Sequence, residues 1–257
     1  MNITINDKKK KDLFISIFQL LKNSSSHINA SFTSDNMHIQ GMDKSHICLF
    51  DLNINKEWFS NYTVNEETKI CFDASIFHTM ISTKSEDQEL IIKKNTDDSI
   101  TIELINANKN SDYSKFFTMS LIEYEYDEMN IPETEYEAEI SLPSKKVTDM
   151  ISQLNNYGND LLITCSENYV DFKTKGDSGE MRVNIPVDDM LSYSVVEGDD
   201  INLTYSLIYI SKMCITNKLS SEIEFYLSSE CPMKIKYNLG DDSTLLFYIA
   251  PKISDDF

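Results

Sequence analysis

An acidic segment at the middle of the chain, residues 119–136, limits the possible folds more than any other feature. It contains six carboxylates and neither lysine nor arginine. Pro132 lacks a backbone N–H and favours an extended conformation at Ile131, so we expect no helix across the segment. Composition alone would also suit a solvated acidic loop. Because Met129, Ile131 and two tyrosines interrupt the acidic residues, we interpret the segment as an extended connector that half-covers a groove.

The chain on either side of this connector repeats one order of elements: a strand, a helix, strands, a second helix and further strands. Apolar residues recur with helical spacing at 13–21, 76–81, 147–154 and 207–214. Much of the remaining chain alternates apolar and polar residues with the period of two that predicts strands. We therefore predict an α+β fold in which two topologically similar domains carry antiparallel sheets and two helices each. Four short helices are expected to cover one face and to leave their polar sides on a common surface.

The overall charge argues against strong attraction to nucleic acid. The formal net charge is −19 over 257 residues, and the pI is near 4.5. Arg182 is the only arginine, so bidentate recognition of phosphate or guanine by arginine is not expected. The positions of the lysines therefore matter more than the total charge.

No group of residues in the sequence predicts catalysis, a metal site or a cofactor. The four histidines do not occur at metal-ligand spacing, and the aspartate pairs lie in turn-like stretches without a calcium-loop pattern. A phosphate-binding glycine loop and a serine nucleophile elbow are also absent from the sequence. Five isolated cysteines without CxxC spacing indicate reduced, buried side chains of an intracellular protein. We expect no enzyme activity and no membrane partner.

Several widely separated stretches match one known family and occur in the same order. They are GMDKSHICLFDL at 41–52, Ser111-Asp112-Tyr113 at the start of the connector, IPETEY at 131–136 and LLFYIAPKISDD at 245–256. In these stretches the chain resembles the sliding clamps of the proliferating cell nuclear antigen (PCNA) family. The resemblance extends over essentially the whole chain.

The resemblance implies an N-terminal clamp domain at 1–117, an interdomain connecting loop at 118–135 and a C-terminal clamp domain at 136–257. It also implies that sheets form the outside of a homotrimeric ring, that helices line its hole, and that the ring closes head to tail around duplex DNA. Such a ring is a processivity factor: it keeps DNA polymerase, the clamp loader and other PIP-box proteins on DNA and breaks no bond itself. The family suggests a nuclear location, or a viral replication site, and roles in DNA replication and repair.

The family resemblance also implies which residues form a hydrophobic groove for partners under the connector. Partners of the family insert a short helical turn with one aliphatic and two aromatic anchors. For Ile47 and Leu49, ordinary core packing is an equally reasonable interpretation. The matching positions are Met42, His46, Ile47, Leu49, Met129, Ile131, Pro132, Pro232, Tyr248, Ala250, Pro251 and Ile253.

Two further surfaces follow from the same resemblance. Edge strands near 109–117 of one subunit and 179–185 of the next would pair, which removes two open sheet edges. The subunit-interface residues would be Tyr113, Lys115, Phe117, Met181, Val183 and Ile185. The DNA-facing residues would be Lys9, Lys10, Lys11, Lys22, Lys84, Lys109, Lys145, Lys146, Lys212 and Lys218.

The sequence departs from the family pattern at several of these positions. Thr79 and Ser82 in the second helix, and Asp149 and Ser152 in the third, stand where the family has basic residues. We therefore expect weak, sequence-independent DNA contacts and a shallow dependence of affinity on salt. Glu167 stands where much of the family has a lysine that accepts ubiquitin or a related modifier, which argues against that modification here.

Three alternatives to a homotrimeric ring follow from the same residues. The chain could be a non-ring processivity factor that holds DNA by surface charge, although its acidic composition argues against this. It could also be one subunit of a heterotrimeric clamp, whose edge strands pair only with different chains. An enzyme is the third alternative, and the sequence offers no catalytic constellation for it.

Overall fold

The computed structural model of the chain describes residues 1–106, 113–123, 129–198 and 200–252. The chain forms two compact units. The first consists of Met1–Lys44, Phe50–Met129 and Leu239–Leu245, and the second of Ser45–Leu49, Asn130–Asn238 and Leu246–Phe257. Among the described residues, no helix is both long enough and apolar enough to cross a membrane.

The order of elements along the chain repeats, as the sequence predicted. Residues 1–120 form β1 (Asn2–Ile5), α1 (Lys8–Ser24), β2 (His27–Phe32), β3 (Asn36–Met42), β4 (Cys48–Asn55), β5 (Asn61–Thr63), β6 (Thr68–Asp73), α2 (Ala74–Ser82), β7 (Gln88–Lys93), β8 (Ser99–Asn106) and β9 (Lys115–Ser120). Residues 138–249 form β10 (Ala138–Pro143), α3 (Ser144–Leu154), β11 (Asp160–Cys165), β12 (Tyr169–Gly176), β13 (Gly179–Pro186), β14 (Ser192–Val195), β15 (Ile201–Ser206), α4 (Leu207–Met213), β16 (Glu222–Leu227), β17 (Met233–Gly240) and β18 (Ser243–Ile249). Short 3-10 helices occur at Lys56–Trp58 and Val187–Asp189.

The strands of each unit pair side by side in antiparallel sheets. In the first unit, one sheet has the order β5-β1-β7-β8-β9, and β4, β3, β2 and β6 lie next to one another in that order. In the second unit, one sheet has the order β13-β12-β11-β15, and β14, β10, β16, β17 and β18 are successive neighbours. Strands β9 and β13 are therefore edge strands of their sheets. The registers are antiparallel at both edges, with Ile102 opposite Phe117 and Phe172 opposite Val183.

Helix α1 is longer than the apolar spacing predicted. The Asp7 carboxylate accepts a hydrogen bond from Lys10 N at 2.8 Å, which caps the helix and starts it at Lys8. The four-lysine run therefore lies in the first turn of a helix of 17 residues. In the same way Asp73 caps α2 by accepting from Ile76 N at 2.8 Å.

A cluster of aromatic rings forms the core of the first unit. The Phe18 ring lies 4.8 Å from that of Phe14 and 4.5 Å from that of Phe77, between centroids. These side chains are buried, and burial of each aromatic side chain contributes about 1.5–3 kcal/mol. The indole of the buried Trp58 donates to Leu239 O at 3.0 Å, so its one polar group is satisfied. This cluster fixes α1 and α2 of the first unit together.

The core of the second unit is built from α3, α4 and the strands that they cover. Val147, Ile151 and Leu154 form the buried side of α3, and the Phe172 ring lies 6.3 Å from the Phe225 ring. The buried Tyr237 donates its hydroxyl to Met213 O at 2.9 Å, at the end of α4. Four cysteines are buried as predicted, whereas Cys231 is half-buried.

Candidate functional site

The connector is attached to the first unit at three points along its length. Leu121 N donates to Asp98 O at 2.8 Å, and Ile122 N donates to Cys71 O at 2.9 Å, on the outer edge of β6. Residues 124–128 lie outside the described part of the chain, and the third attachment is at Met129. These bonds at both ends of the described segment agree with the interpretation of the acidic segment as a connector.

The third attachment is made by the side chain of Gln40, on β3. Gln40 Nε2 donates to Met129 O at 2.9 Å, and Met129 N donates to Gln40 Oε1 at 2.7 Å. Asp51 Oδ2 accepts from Gln40 Nε2 at 3.1 Å and lies 3.1 Å from His38 Nε2. Gln40 was not predicted as a site residue, because a polar residue in a strand that alternates polar and apolar residues is expected to face solvent. The structure instead buries three consecutive residues of β3, from Ile39 to Gly41.

Gly41 follows Gln40 where the strand has no room for a side chain. A β-carbon at Gly41 would collide with the ring of Phe50, which lies on the neighbouring strand β4. Glycine therefore leaves room for the Phe50 ring over the backbone between Gln40 and Met42.

The predicted groove residues of the second unit are partly accessible. Ile47, Leu49, Ile131, Tyr248, Ala250 and Pro251 are half-buried, and His46, Pro132 and Pro232 are exposed. Ala250 N donates to Ile47 O at 3.0 Å, which brings two predicted groove residues together. His46 has a φ of 57°, a conformation that non-glycine residues seldom adopt outside functional sites and tight turns. Met42 and Met129, in the first unit, are half-buried, and Ile253 lies outside the described residues.

A lysine between two tyrosines fixes the end of the connector in the second unit. The Lys234 ammonium lies 3.8 Å from the centroid of the Tyr226 ring and 4.5 Å from that of Tyr136. Burial lowers the pKa of Lys234 and raises the pKa of the Tyr136 hydroxyl. Glu137 N donates to Leu227 O at 2.8 Å immediately after this cluster. Tyr136 and Lys234 were not among the predicted site residues, although the position of Tyr136 at the end of the acidic segment was a usable signal.

The predicted DNA-facing lysines fall into two groups. The side chains of Lys9, Lys145, Lys146, Lys212 and Lys218 are exposed. Lys10 Nζ donates to Trp58 O and to Asp241 Oδ2, both at 2.7 Å, and Lys84 Nζ pairs with Asp12 Oδ1 at 2.8 Å. Lys22 Nζ lies 3.0 Å from His78 Nδ1. Lys109 lies outside the described residues.

Lys11 requires a correction. Its side chain is only 2% exposed, and its ammonium donates to the carbonyls of Gln88 and, at 3.2 Å, of Glu86. Burial lowers the pKa of Lys11, and the neighbouring Lys84 lowers it further. The expectation that Lys11 faces DNA does not fit this burial, because helix α1 turns its fourth lysine towards its own unit.

Both predicted edge strands expose apolar residues. On the β9 side, Tyr113 is 88% exposed and Phe116 is 67% exposed, while Lys115 and Phe117 are half-buried. On β13, Met181, Val183 and Ile185 alternate with exposed polar residues and are half-buried. Phe116 was not among the interface residues that the family resemblance implied, although it is the more exposed of the two phenylalanines on β9. The described residues also contain no group of three or more His, Cys, Asp or Glu side chains that could hold a metal ion.

Comparison with known proteins agrees with this architecture over most of the chain. The family models "Proliferating cell nuclear antigen, N-terminal domain" and "Proliferating cell nuclear antigen, C-terminal domain" match residues 7–129 and 130–252. The proliferating cell nuclear antigen of Chaetomium thermophilum is 27% identical over 223 residues, which cover 85% of this chain and 86% of that protein. The crystal structure of a PCNA2-PCNA3 complex from Sulfolobus tokodaii has the same fold, with a TM-score of 0.87 at 24% identity over 98% of this chain and 99% of that one.

These matches confirm both the family resemblance and the predicted α+β clamp fold with two similar domains. The two family models meet within the acidic connector, at residues 129 and 130. They therefore account for both halves of the repeated element order. The chain belongs to the proliferating cell nuclear antigen family of DNA sliding clamps, which are non-enzymatic processivity factors of DNA replication.

Proposed function

We propose that three copies of this chain close head to tail into a homotrimeric ring around duplex DNA. The ring would tether DNA polymerase, the clamp loader and other PIP-box partners, in replication and in repair. Its domains would be 1–117 and 136–257, joined by the connecting loop 118–135. The expected location is the nucleus or a viral replication site.

The observation that carries this proposal is the pair of apolar edge strands β9 and β13. Phe116 on β9 and Tyr113, which precedes that strand, expose large aromatic side chains, and an exposed apolar patch of this kind marks a surface that binds protein. The two edges belong to different units and carry different residues, so a contact between them is heterologous. A heterologous contact forms a closed ring when the rotation between successive copies brings the last copy back to the first.

We further propose that the half-buried apolar residues around the connector accept the anchors of partner peptides. In the second unit, Ile47 and Ala250 are joined by a backbone hydrogen bond, and Tyr248 lies two residues before Ala250. A partner that removes the remaining contact of these apolar side chains with water gains free energy in proportion to the apolar area that it covers. The strained backbone at His46 also supports a binding role for this loop.

For DNA, the proposed contacts come from the exposed Lys9, Lys145, Lys146, Lys212 and Lys218. Five such lysines in a chain of net charge −19 support weak, sequence-independent contacts. Topological linkage would then keep the ring on DNA where affinity alone does not. An equilibrium titration with a steep dependence on salt would contradict this part of the proposal and would favour the non-ring processivity factor.

Light scattering tests the ring directly. We expect a mass near three times 29.6 kDa at low and at high micromolar concentration. Phe116→Asp should shift the mass towards that of one subunit at low concentration, because it places a charge on the proposed edge contact. Val196→Asp, at another exposed apolar residue, should leave the trimer intact.

A wild-type mass near 29.6 kDa at both concentrations would overturn the homotrimer. The heterotrimer would then be favoured, since the solved structure from Sulfolobus tokodaii is a complex of two different PCNA chains. In that case mixing with a second clamp subunit should restore the larger mass.

A further inference from the structure

The side-chain amide of Gln40 forms hydrogen bonds with both backbone groups of Met129, as the backbone of a neighbouring strand does in a sheet. One amide group accepts from Met129 N and donates to Met129 O, at 2.7 and 2.9 Å. Gln40 is 4% exposed and Met129 is half-buried, so water can replace these bonds only in part when they break. This pair fixes the position of one backbone unit of the connector.

Asp51 determines which way the Gln40 amide points. A carboxylate can only accept hydrogen bonds, so its Oδ2, 3.1 Å from Gln40 Nε2, requires the NH₂ group on that side. The same oxygen lies 3.1 Å from His38 Nε2, which holds the carboxylate in place. The orientation in which Gln40 matches both backbone groups of Met129 is therefore set before the connector docks.

We propose that Gln40 is a positioning residue for partner binding: it holds Met129 in the place from which that side chain contacts a bound partner. This inference rests on the proposed groove and concerns a residue that does not itself touch the partner. Without the two hydrogen bonds, Met129 would have to be ordered when the partner arrives, and the cost of ordering would reduce affinity. We expect the loss to be about tenfold, from two hydrogen bonds of ordinary strength that are partly replaced by water.

A second buried glutamine of the same unit provides a matched control. Gln88 is fully buried, its Oε1 accepts from Ser85 N at 2.8 Å, and its Nε2 donates to Tyr113 O at 2.7 Å. Gln88 thus makes the same kind of bond from side chain to backbone on a segment that does not include Met129. Replacing either glutamine by methionine removes its side-chain hydrogen bonds to the backbone at almost constant side-chain volume.

The experiment compares wild type, Gln40→Met and Gln88→Met. The probe is a fluorescent peptide with one aliphatic and two aromatic anchors on a helical turn, and fluorescence anisotropy gives its affinity. Hydrogen exchange at the amide of Met129 is measured without peptide. We expect Gln40→Met to exchange faster at Met129 and to bind about tenfold more weakly, while Gln88→Met binds like wild type.

The outcomes separate this inference from the groove itself. Equal affinity of Gln40→Met and wild type would overturn the positioning role. An equal loss in Gln88→Met would also overturn it, because general destabilisation would then explain the effect. A wild-type chain that does not bind the peptide would overturn the proposed groove together with this inference, whatever the exchange at Met129. If Gln40→Met does not fold, Gln40→Glu takes its place in the experiment and is judged by the same outcomes. Glutamate keeps the length of the side chain but, when ionised, cannot donate a hydrogen bond to Met129 O.

Discussion

The guanidinium of Arg182 bonds to the carboxylate of Asp171 across strands β12 and β13, with Nε and Nη2 at 2.9 and 2.6 Å from the same oxygen. Asn184 Nδ2 donates to the other oxygen of Asp171 at 2.8 Å. The only arginine of the chain is therefore bound to a neighbouring strand of its own unit. It holds the edge strand β13 in register, at the proposed subunit contact.

Replacement of Asp171 should loosen this edge. Asp171→Ala leaves the guanidinium and the Asn184 amide without their shared acceptor, so β13 is held to β12 by backbone bonds and by the exposed Lys173–Glu180 ion pair at 3.3 Å. We expect a lower midpoint of thermal unfolding and a trimer that dissociates at concentrations where wild type does not. Light scattering across a dilution series measures the second effect. An Asp171→Ala chain with unchanged association would show that this register does not matter for assembly.

The indole of Trp58 should contribute to stability through one hydrogen bond as well as through packing. Trp58→Phe removes the indole donor to Leu239 O at a buried position. We expect a loss of about 1–3 kcal/mol in the free energy of unfolding. Denaturation in urea measures it, with Tyr157→Phe, at a partly exposed ring, as a control that should change little. Equal stability of Trp58→Phe and wild type would mean that water replaces the lost donor.

His78 should titrate below the ordinary histidine value of about 6.5. Burial lowers the pKa of His78, and the Lys22 ammonium, 3.0 Å from Nδ1, lowers it further. The unfolded chain therefore takes up this proton at a higher pH than the folded chain. The contribution of His78 to stability is complete above about pH 6.5, falls as the pH decreases below that value, and levels off below the folded pKa.

Proton NMR of the His78 ring measures this pKa directly. Lys22→Met should raise it, because the nearby positive charge is removed while burial remains. A wild-type His78 that titrates at or above the ordinary value would contradict the packing of α1 against α2 described here.

The two groups of lysines should differ in their effect on DNA binding. Each of Lys145→Met and Lys146→Met should weaken binding equally for all sequences and reduce the slope of log affinity against log salt by up to about one. Lys11→Met should leave that slope unchanged, because the ammonium of Lys11 is bound to carbonyls of its own unit. It should instead lower the free energy of unfolding by about 1–3 kcal/mol, since these carbonyls lose their donor.

Binding titrations at several salt concentrations, with urea denaturation of the same variants, give both quantities. A smaller salt slope for Lys11→Met would show that its side chain leaves the buried position to reach DNA.

The local pattern of the sequence was sufficient to predict the helices and strands and their order along the chain. Apolar residues at helical spacing predicted α1 to α4, and alternation predicted most strands, because these patterns depend on neighbours within a few residues. Local capping also explains why α1 starts at Lys8, since Asp7 lies next to the helix that it caps. The acidic segment with Pro132 marked the connector for the same reason.

The tertiary structure decided which polar side chains serve the fold and which remain available. Gln40 and Met129 are 89 positions apart, and Lys11 and Gln88 are 77 positions apart, so no local pattern predicts that they meet. A lysine or glutamine in an exposed-looking position becomes buried when another segment brings carbonyl groups within reach, because hydrogen bonds then replace its contact with water. The sequence by itself thus determined the repeated architecture and the family, whereas long-range packing decided that Gln40 anchors the connector and that Lys11 does not face solvent.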